Sequence, residues 1–154
     1  MTSTIRFLMC APDHYDVDYV INPWMEGNVH KSSRDRAVEQ WQQLFHILKE
    51  HAVVDLVTPH KGVPDMVFTA NAGLVLGNTV VLSRFYHKER QGEEPFFNEW
   101  FLQQGYTVHE LPKDLPFEGA GDALLDREGR WLWAGYGFRS ELDSHPLIAK
   151  WLDI

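Results

Sequence analysis

Two short loops gather the acids and amides of this sequence. Pro64-Asp65-Met66-Val67-Phe68-Thr69-Ala70-Asn71-Ala72-Gly73 sets Asp65 and Asn71 ahead of one apolar segment, and Phe117-Glu118-Gly119-Ala120-Gly121-Asp122 sets Glu118 and Asp122 ahead of another. Arg90 follows the first pair of apolar segments and Arg139 the second. A guanidinium fork suits bidentate capture of a carboxylate, and a carboxylate suits a cationic group. Acids before and arginines after each pair would fit a ligand cationic at one end and anionic at the other, such as a free amino acid with a basic side chain. Spacing alone favours simpler roles: loop acids that cap turns or lie in solvent, and arginines that are surface charges.

Regular elements must hold these loops in place. Ile5 to Cys10 reads as a buried first strand, stopped by Ala11-Pro12-Asp13. After a long loop, Ser32 or Ser33 can cap a helix whose one face is Ala37, Trp41, Leu44, Phe45 and Leu48, running to His51. Val53 to Val57 is the next strand. Ala72 to Leu76 and Thr79 to Leu82 form a hairpin about Gly77-Asn78. Lys88 to Gln104 reads as one helix carrying Phe96, Phe97, Trp100, Phe101 and Leu102, with Glu93 and Glu94 as the negative charges a helix start favours and Gly105 as its stop. Tyr106 to Leu111 is a strand. A second hairpin, Ala123 to Asp126 and Trp131 to Ala134 around Arg127-Glu128-Gly129-Arg130, leads to a short amphipathic helix from Glu141 to Leu152.

That order repeats. Asn71 and Asp122 stand 51 positions apart and each opens a hairpin-helix unit, a weak periodicity of the kind that marks structural modules. The second unit lacks the closing strand of the first, so residues 1–154 are expected to be the front part of a larger α/β domain, or to take the missing strands from a partner chain. A sheet edge left open in this way makes self-association an expectation as well.

The composition narrows the function classes. With 44% hydrophobic and 13% aromatic residues in 154, the chain can bury a sizeable core. Fourteen basic residues against twenty-two acidic ones leave a net charge of −8, which disfavours nucleic acid and anionic membrane surfaces as partners. The N-terminus has no leader pattern and no apolar run reaches bilayer length, so a cytoplasmic location is expected. The single cysteine, Cys10, rules out an internal disulfide and reads as a buried structural thiol in its strand, not as a nucleophile activated by His14. The eight histidines show no metal-binding spacing, and neither a metal nor another cofactor is expected.

Several stretches carry a resemblance. Asp65-Met66-Val67-Phe68-Thr69-Ala70-Asn71 resembles a motif of the arginine deiminase and dimethylarginine-hydrolase superfamily of guanidine-modifying enzymes, and Glu118-Gly119-Ala120-Gly121-Asp122 resembles its acidic Glu/Asp-Gly-Gly-Asp segment. Trp133 to Glu141 is similar to the stretch with a substrate-binding arginine. Met9 to Val17 and Ile21-Asn22-Pro23-Trp24-Met25 look most like the arginine dihydrolase branch.

The resemblance implies a pentein, a partial α/β-propeller of ββαβ modules, of which this chain supplies about three. It implies hydrolysis at a guanidinium carbon through a covalent cysteine intermediate, with a histidine moving protons. Glu118 would hold that histidine; Asp65 and Arg139 would bind the amino-acid end of arginine or a related free guanidine, and Arg90 would help with its carboxylate. Phe68 would pack on the guanidinium plane, and Asp122 would belong to the acidic pocket. Deiminases carry an aspartate where Asn71 stands. An amide there, with Asn22, fits the dihydrolase branch, which yields ornithine, ammonia and carbon dioxide. The family's catalytic histidine and cysteine fall beyond Ile154. A deiminase, a dimethylarginine hydrolase, an amidinotransferase and a non-catalytic binding module remain the alternatives.

Overall fold

The computed structural model describes residues 5–128 and 130–154, in two compact units divided after Thr69. In the first, β1 (Arg6–Cys10) pairs in parallel with β2 (Val53–Val57), Phe7 opposite Val54 and Met9 opposite Leu56. Between them runs α1 (Arg34–His51), capped by Ser33, whose hydroxyl accepts from Arg36 N as the sequence predicts. Ala37, Trp41, Phe45 and Leu48 form its half-buried stripe, while Leu44 is 50% exposed.

The expectation of a buried first strand is corrected. Only Met9 and Cys10 of β1 are buried; Arg6 and Phe7 are exposed. Its described ladder has one neighbour, β2, so little covers its leading half, and Arg6 there pairs with Asp55 at 2.9 Å.

In the second unit, β3 (Gly73–Leu76) and β4 (Thr79–Leu82) make the expected hairpin, with Gly77 at φ +59° in its turn. The chain then crosses through α2 (Lys88–Gln91) and α3 (Glu94–Gln103) to β5 (Thr107–Glu110), which lies parallel to β4. The single helix expected over Lys88 to Gln104 is thus two. Pro95 explains the break: it has no N–H to give the Gln91 carbonyl, and its ring would collide with that carbonyl in a continuous helix.

β6 (Ala123–Leu125) and β7 (Leu132–Ala134) form the second hairpin, followed by α4 (Ser144–Leu152). Its turn includes Gly129, which lies outside the described residues. α4 starts three residues later than expected. Glu141 and Leu142 instead end in turns closed by Ser144 N and His145 N, just before Pro146. Leu74, Val81, Leu111, Phe117, Ala123, Ile148 and Leu152 make one core beneath both hairpins. Each hairpin is preceded by a 3-10 turn, Thr69–Asn71 for the first and Gly119–Gly121 for the second, so the periodicity in sequence is one of backbone as well. Among the described residues, no helix is long and apolar enough to cross a membrane.

Candidate functional site

The site residues expected from sequence divide between the units. Asn71, Arg90, Glu118, Asp122 and Arg139 all belong to the second, and the structure links them there. The 3-10 turn Thr69–Asn71 delivers Asn71, which is buried, to the 3-10 turn Gly119–Gly121. Its Nδ2 donates to the main-chain carbonyl of Glu118 at 3.1 Å, and its Oδ1 accepts from Arg90 Nη1 at 3.2 Å. The approach is close enough to require glycine. A Cβ on Gly121 would collide with the Asn71 amide, and one on Gly119, at φ +58°, would stand 2.9 Å from the Gly73 backbone.

Arg90 is 4% exposed and Glu93 is fully buried. The guanidinium donates from Nε and Nη2 to the two carboxylate oxygens of Glu93 at 2.7 and 2.8 Å, a bidentate pair, and its Cζ lies 4.4 Å from the Phe85 ring centroid. Reading Glu93 and Glu94 as helix-start charges is therefore incomplete. Glu93 makes no side-chain cap and clamps Arg90, while Glu94 pairs with Arg84 and accepts from Phe85 N.

Glu118, 1% exposed, forms an ion pair with Arg139 Nη1 at 3.1 Å, and Arg139 Nη2 donates to Asp122. Ser140 ties the same acids together: its hydroxyl donates to Asp122 Oδ2 at 2.7 Å and accepts from Glu118 N at 3.1 Å. Burying charge is tolerable only with such opposite charges and hydrogen bonds in place. Arg139 is thus balanced by Glu118 and Asp122, and Arg90 by Glu93.

Asn22, Asp65 and Phe68 lie in the first unit. Asp65 is buried in the 3-10 turn Pro64–Val67 and accepts from the Tyr19 hydroxyl at 2.9 Å. Phe68 is 48% exposed, and its ring and that of Tyr15 meet edge-on at 6.2 Å. Burial first, then the carboxylates of Asp65 and Asp16, push the Tyr15 hydroxyl pKa above its ordinary value. The Asn22 side-chain oxygen accepts from Trp24 N and Met25 N at 3.1 and 3.2 Å, a turn role beside the expected ligand role.

Cys10 is fully buried in β1 and its thiol faces the Ala11 carbonyl at 3.7 Å, as expected of a structural residue. Among the described residues, one group brings three metal-ligand atoms within 4.8 Å of one another: Asp16, Asp18 and His30. Their interactions close the loop onto itself, with His30 Nδ1 3.1 Å from Asp16 Oδ2 and the Ser32 hydroxyl on the same carboxylate. A cleft of about 200 Å³ beside Arg84, Glu94, Asn98 and Glu110 holds none of the expected site residues.

Sequence reasoning missed Glu93 as a partner of Arg90, Tyr19 as a partner of Asp65, and Ser140. Only the i,i+3 spacing of Arg90 and Glu93 could have signalled the first of these.

Comparison with known proteins gives the family. A family model described as N,N dimethylarginine dimethylhydrolase, eukaryotic, matches residues 16–152. The bifunctional arginine dihydrolase/ornithine cyclodeaminase AgrE of Nostoc sp. (strain PCC 7120) is 86% identical over 154 residues, 100% of this chain and 22% of that protein. ArgZ of Synechocystis sp. (strain PCC 6803), which bears the same description, is 79% identical over 99% of this chain and 22% of its own length. The chain therefore spans 22% of the length of these curated relatives. A crystal structure of a substituted N-terminal domain of ArgZ covalently bonded to a reaction intermediate superposes with a TM-score of 0.95 at 80% identity, covering 96% of this chain and 54% of that one.

Proposed function

The chain belongs to the family described as N,N dimethylarginine dimethylhydrolase, eukaryotic, and from that membership we propose that it is the arginine-recognising part of a hydrolase that removes both outer guanidinium nitrogens of arginine. Water is consumed twice, and ornithine, two molecules of ammonia and one of carbon dioxide result. The observation that carries this reading is Asn71, an amide held between Arg90 Nη1 and the Glu118 carbonyl. An amide has no negative charge with which to grip a guanidinium, but it can orient a water or a urea-like intermediate through hydrogen bonds. That capacity is what a second hydrolysis needs.

In this reading Asp65 and Arg139 bind the amino-acid end of the substrate, while Arg90, expected to help with its carboxylate, has its fork engaged by Glu93 and Asn71 and acts through the Asn71 amide. Phe68 covers the guanidinium plane, Asn22 and Asp122 are further substrate contacts, and Glu118 orients the catalytic histidine. The histidine and the nucleophilic cysteine come from protein outside these 154 residues. The thiolate attacks the guanidinium carbon and a first ammonia leaves with a proton from the histidine. Water adds to the same carbon and a second ammonia leaves, giving a thiocarbamate. A second water then releases the thiolate, and the resulting carbamate loses carbon dioxide to give ornithine. The covalent adduct of the ArgZ domain supports such a route. Its 80% identity, and the similar descriptions of AgrE and ArgZ, support arginine as the substrate.

We assign the chain to about three modules of a pentein, a five-module α/β-propeller. The two 3-10 turn and hairpin units support this. So does coverage of 54% of the ArgZ domain. Leu124 and Trp133, opposite each other in β6 and β7 and 63% and 72% exposed, form an apolar face for the remainder of the domain or a second copy.

The test is to supply L-arginine to the protein translated from the full coding sequence that contains this chain. Ornithine with two equivalents of ammonia is the expected result. Citrulline with one equivalent would make it a deiminase, consumption only with an acceptor amine an amidinotransferase, and binding without consumption a binding module.

A further inference from the structure

We propose that Glu93 is a positioning residue which, through Arg90, sets the orientation of the Asn71 amide and so controls how far arginine is degraded. The inference rests on the arginine-hydrolase reading above and adds to it a residue outside the expected substrate contacts.

The geometry begins at the break between α2 and α3. Glu93 N bonds the Arg90 carbonyl at 2.9 Å, which closes a tight turn and brings the two side chains onto the same side. Both Glu93 oxygens then engage Arg90, and the Phe85 ring lies against the guanidinium. A planar group held along one edge and one face cannot swivel. Its Nη1 is left aimed at Asn71.

The two ends of an asparagine amide have nearly the same shape and differ only in what they can bond. Arg90 offers donors only, so it selects Oδ1. Nδ2 is thereby turned toward the Glu118 carbonyl, an acceptor that would reject Oδ1. One lone pair and one N–H of the amide are spent in this way, which fixes the sense in which the second of each points. Gly121 completes the arrangement by leaving room for Nδ2. A flipped or mobile Asn71 would still leave a site for arginine. It would fail to hold the intermediate that must be hydrolysed again.

The experiment uses the full-length protein and Glu93→Gln, with the ratio of ornithine to citrulline as readout. Gln fills the same volume, but its NH2 faces an arginine N–H and breaks the bidentate pair. We expect the ratio to fall about tenfold, the scale of one lost charge-assisted hydrogen bond. A ratio is insensitive to how much protein is folded, so a purely structural role for Glu93 would leave it unchanged. An unchanged ratio overturns the proposal. If Glu93→Gln does not fold, Gly121→Ala disturbs the same amide without touching the ion pair, and it must lower the ratio too; an unchanged ratio again overturns the proposal. Failure of both variants to fold shows the network to be structural and likewise overturns it. A wild type that releases neither product overturns the hydrolase reading itself, an outcome read in a separate arm.

Discussion

Arg139 Nη1 stands 3.1 Å from Glu118 Oε2, and the two side chains are exposed to very different degrees, 32% and 1%. The carboxylate is shut in while the guanidinium reaches from the interior toward solvent. Such an arginine can hold an acid in place and still offer part of its fork to an incoming carboxylate.

Arg139→Gln should accordingly lower folding stability by about 3 kcal/mol, the low end of the range for breaking a buried pair because Arg139 is a third exposed. Urea denaturation of the full-length protein measures it. A midpoint equal to wild type would show that the pair contributes nothing to the fold.

Asn71→Asp should shift products toward citrulline and a single ammonia. The structure adds a second expectation. A carboxylate cannot donate to the Glu118 carbonyl, so its oxygen would repel that carbonyl across the present 3.1 Å while keeping its contact with Arg90. Loss of about 1–3 kcal/mol should accompany the change of products. Product analysis with thermal denaturation checks both, and an unchanged yield of ornithine would remove Asn71 from the second hydrolysis.

Gly119→Ala should cost at least about 2 kcal/mol, since alanine is strained at φ +58° and its Cβ would be 2.8 Å from Ser83 Oγ and 2.9 Å from the Gly73 backbone. A melting temperature within a degree of wild type would contradict so close an approach of Gly119 to Gly73 and Ser83.

Cys10→Ala should leave turnover of the full-length protein unaltered and lower stability by about 1 kcal/mol, the cost of a small deletion in a packed site. Lost turnover in a folded variant would make Cys10 a participant in the chemistry.

Acid should open the loop that Asp16 closes. The Ser32 hydroxyl first, then His30 and the Val17 amide, hold this carboxyl at about 2, below its ordinary 3.8. A lowered pKa means that the folded loop prefers the ionised form. Its contribution is intact above about pH 3.8 and is lost as the pH falls toward about 2. The amide proton of Val17, which donates to Asp16 at 2.8 Å, should titrate with a midpoint near 2 by NMR. A midpoint near 4 would show that the clasp does not form.

Much of the local architecture is legible in the residues. β2 runs from Val53 to Val57 as its β-branched pattern predicts, Ser33 caps α1, and Gly77 turns the first hairpin. These depend on neighbours a few positions apart, where periodicity and turn chemistry act directly. The helix broken before Pro95 shows where apolar spacing misleads. Phe96, Phe97, Trp100 and Phe101 mark a helical face but say nothing of where the helix begins, and one missing N–H decides that.

The site divides in the same way. The candidates were legible, since Asn71, Glu118, Asp122 and Arg139 fall in stretches with a family resemblance and Arg90 stands after the first hairpin as Arg139 does after the second. Only the tertiary structure decided the pairing: Arg139 with Glu118 and Asp122, Arg90 with Glu93, and Asn71 across to Glu118. Residues 47 apart in sequence, such as Asn71 and Glu118, meet because Gly119 and Gly121 in the second turn leave room for the Gly73 backbone and the Asn71 amide. The strength of an ion pair or hydrogen bond depends on burial and on angstrom-scale distance, quantities that residue order does not encode.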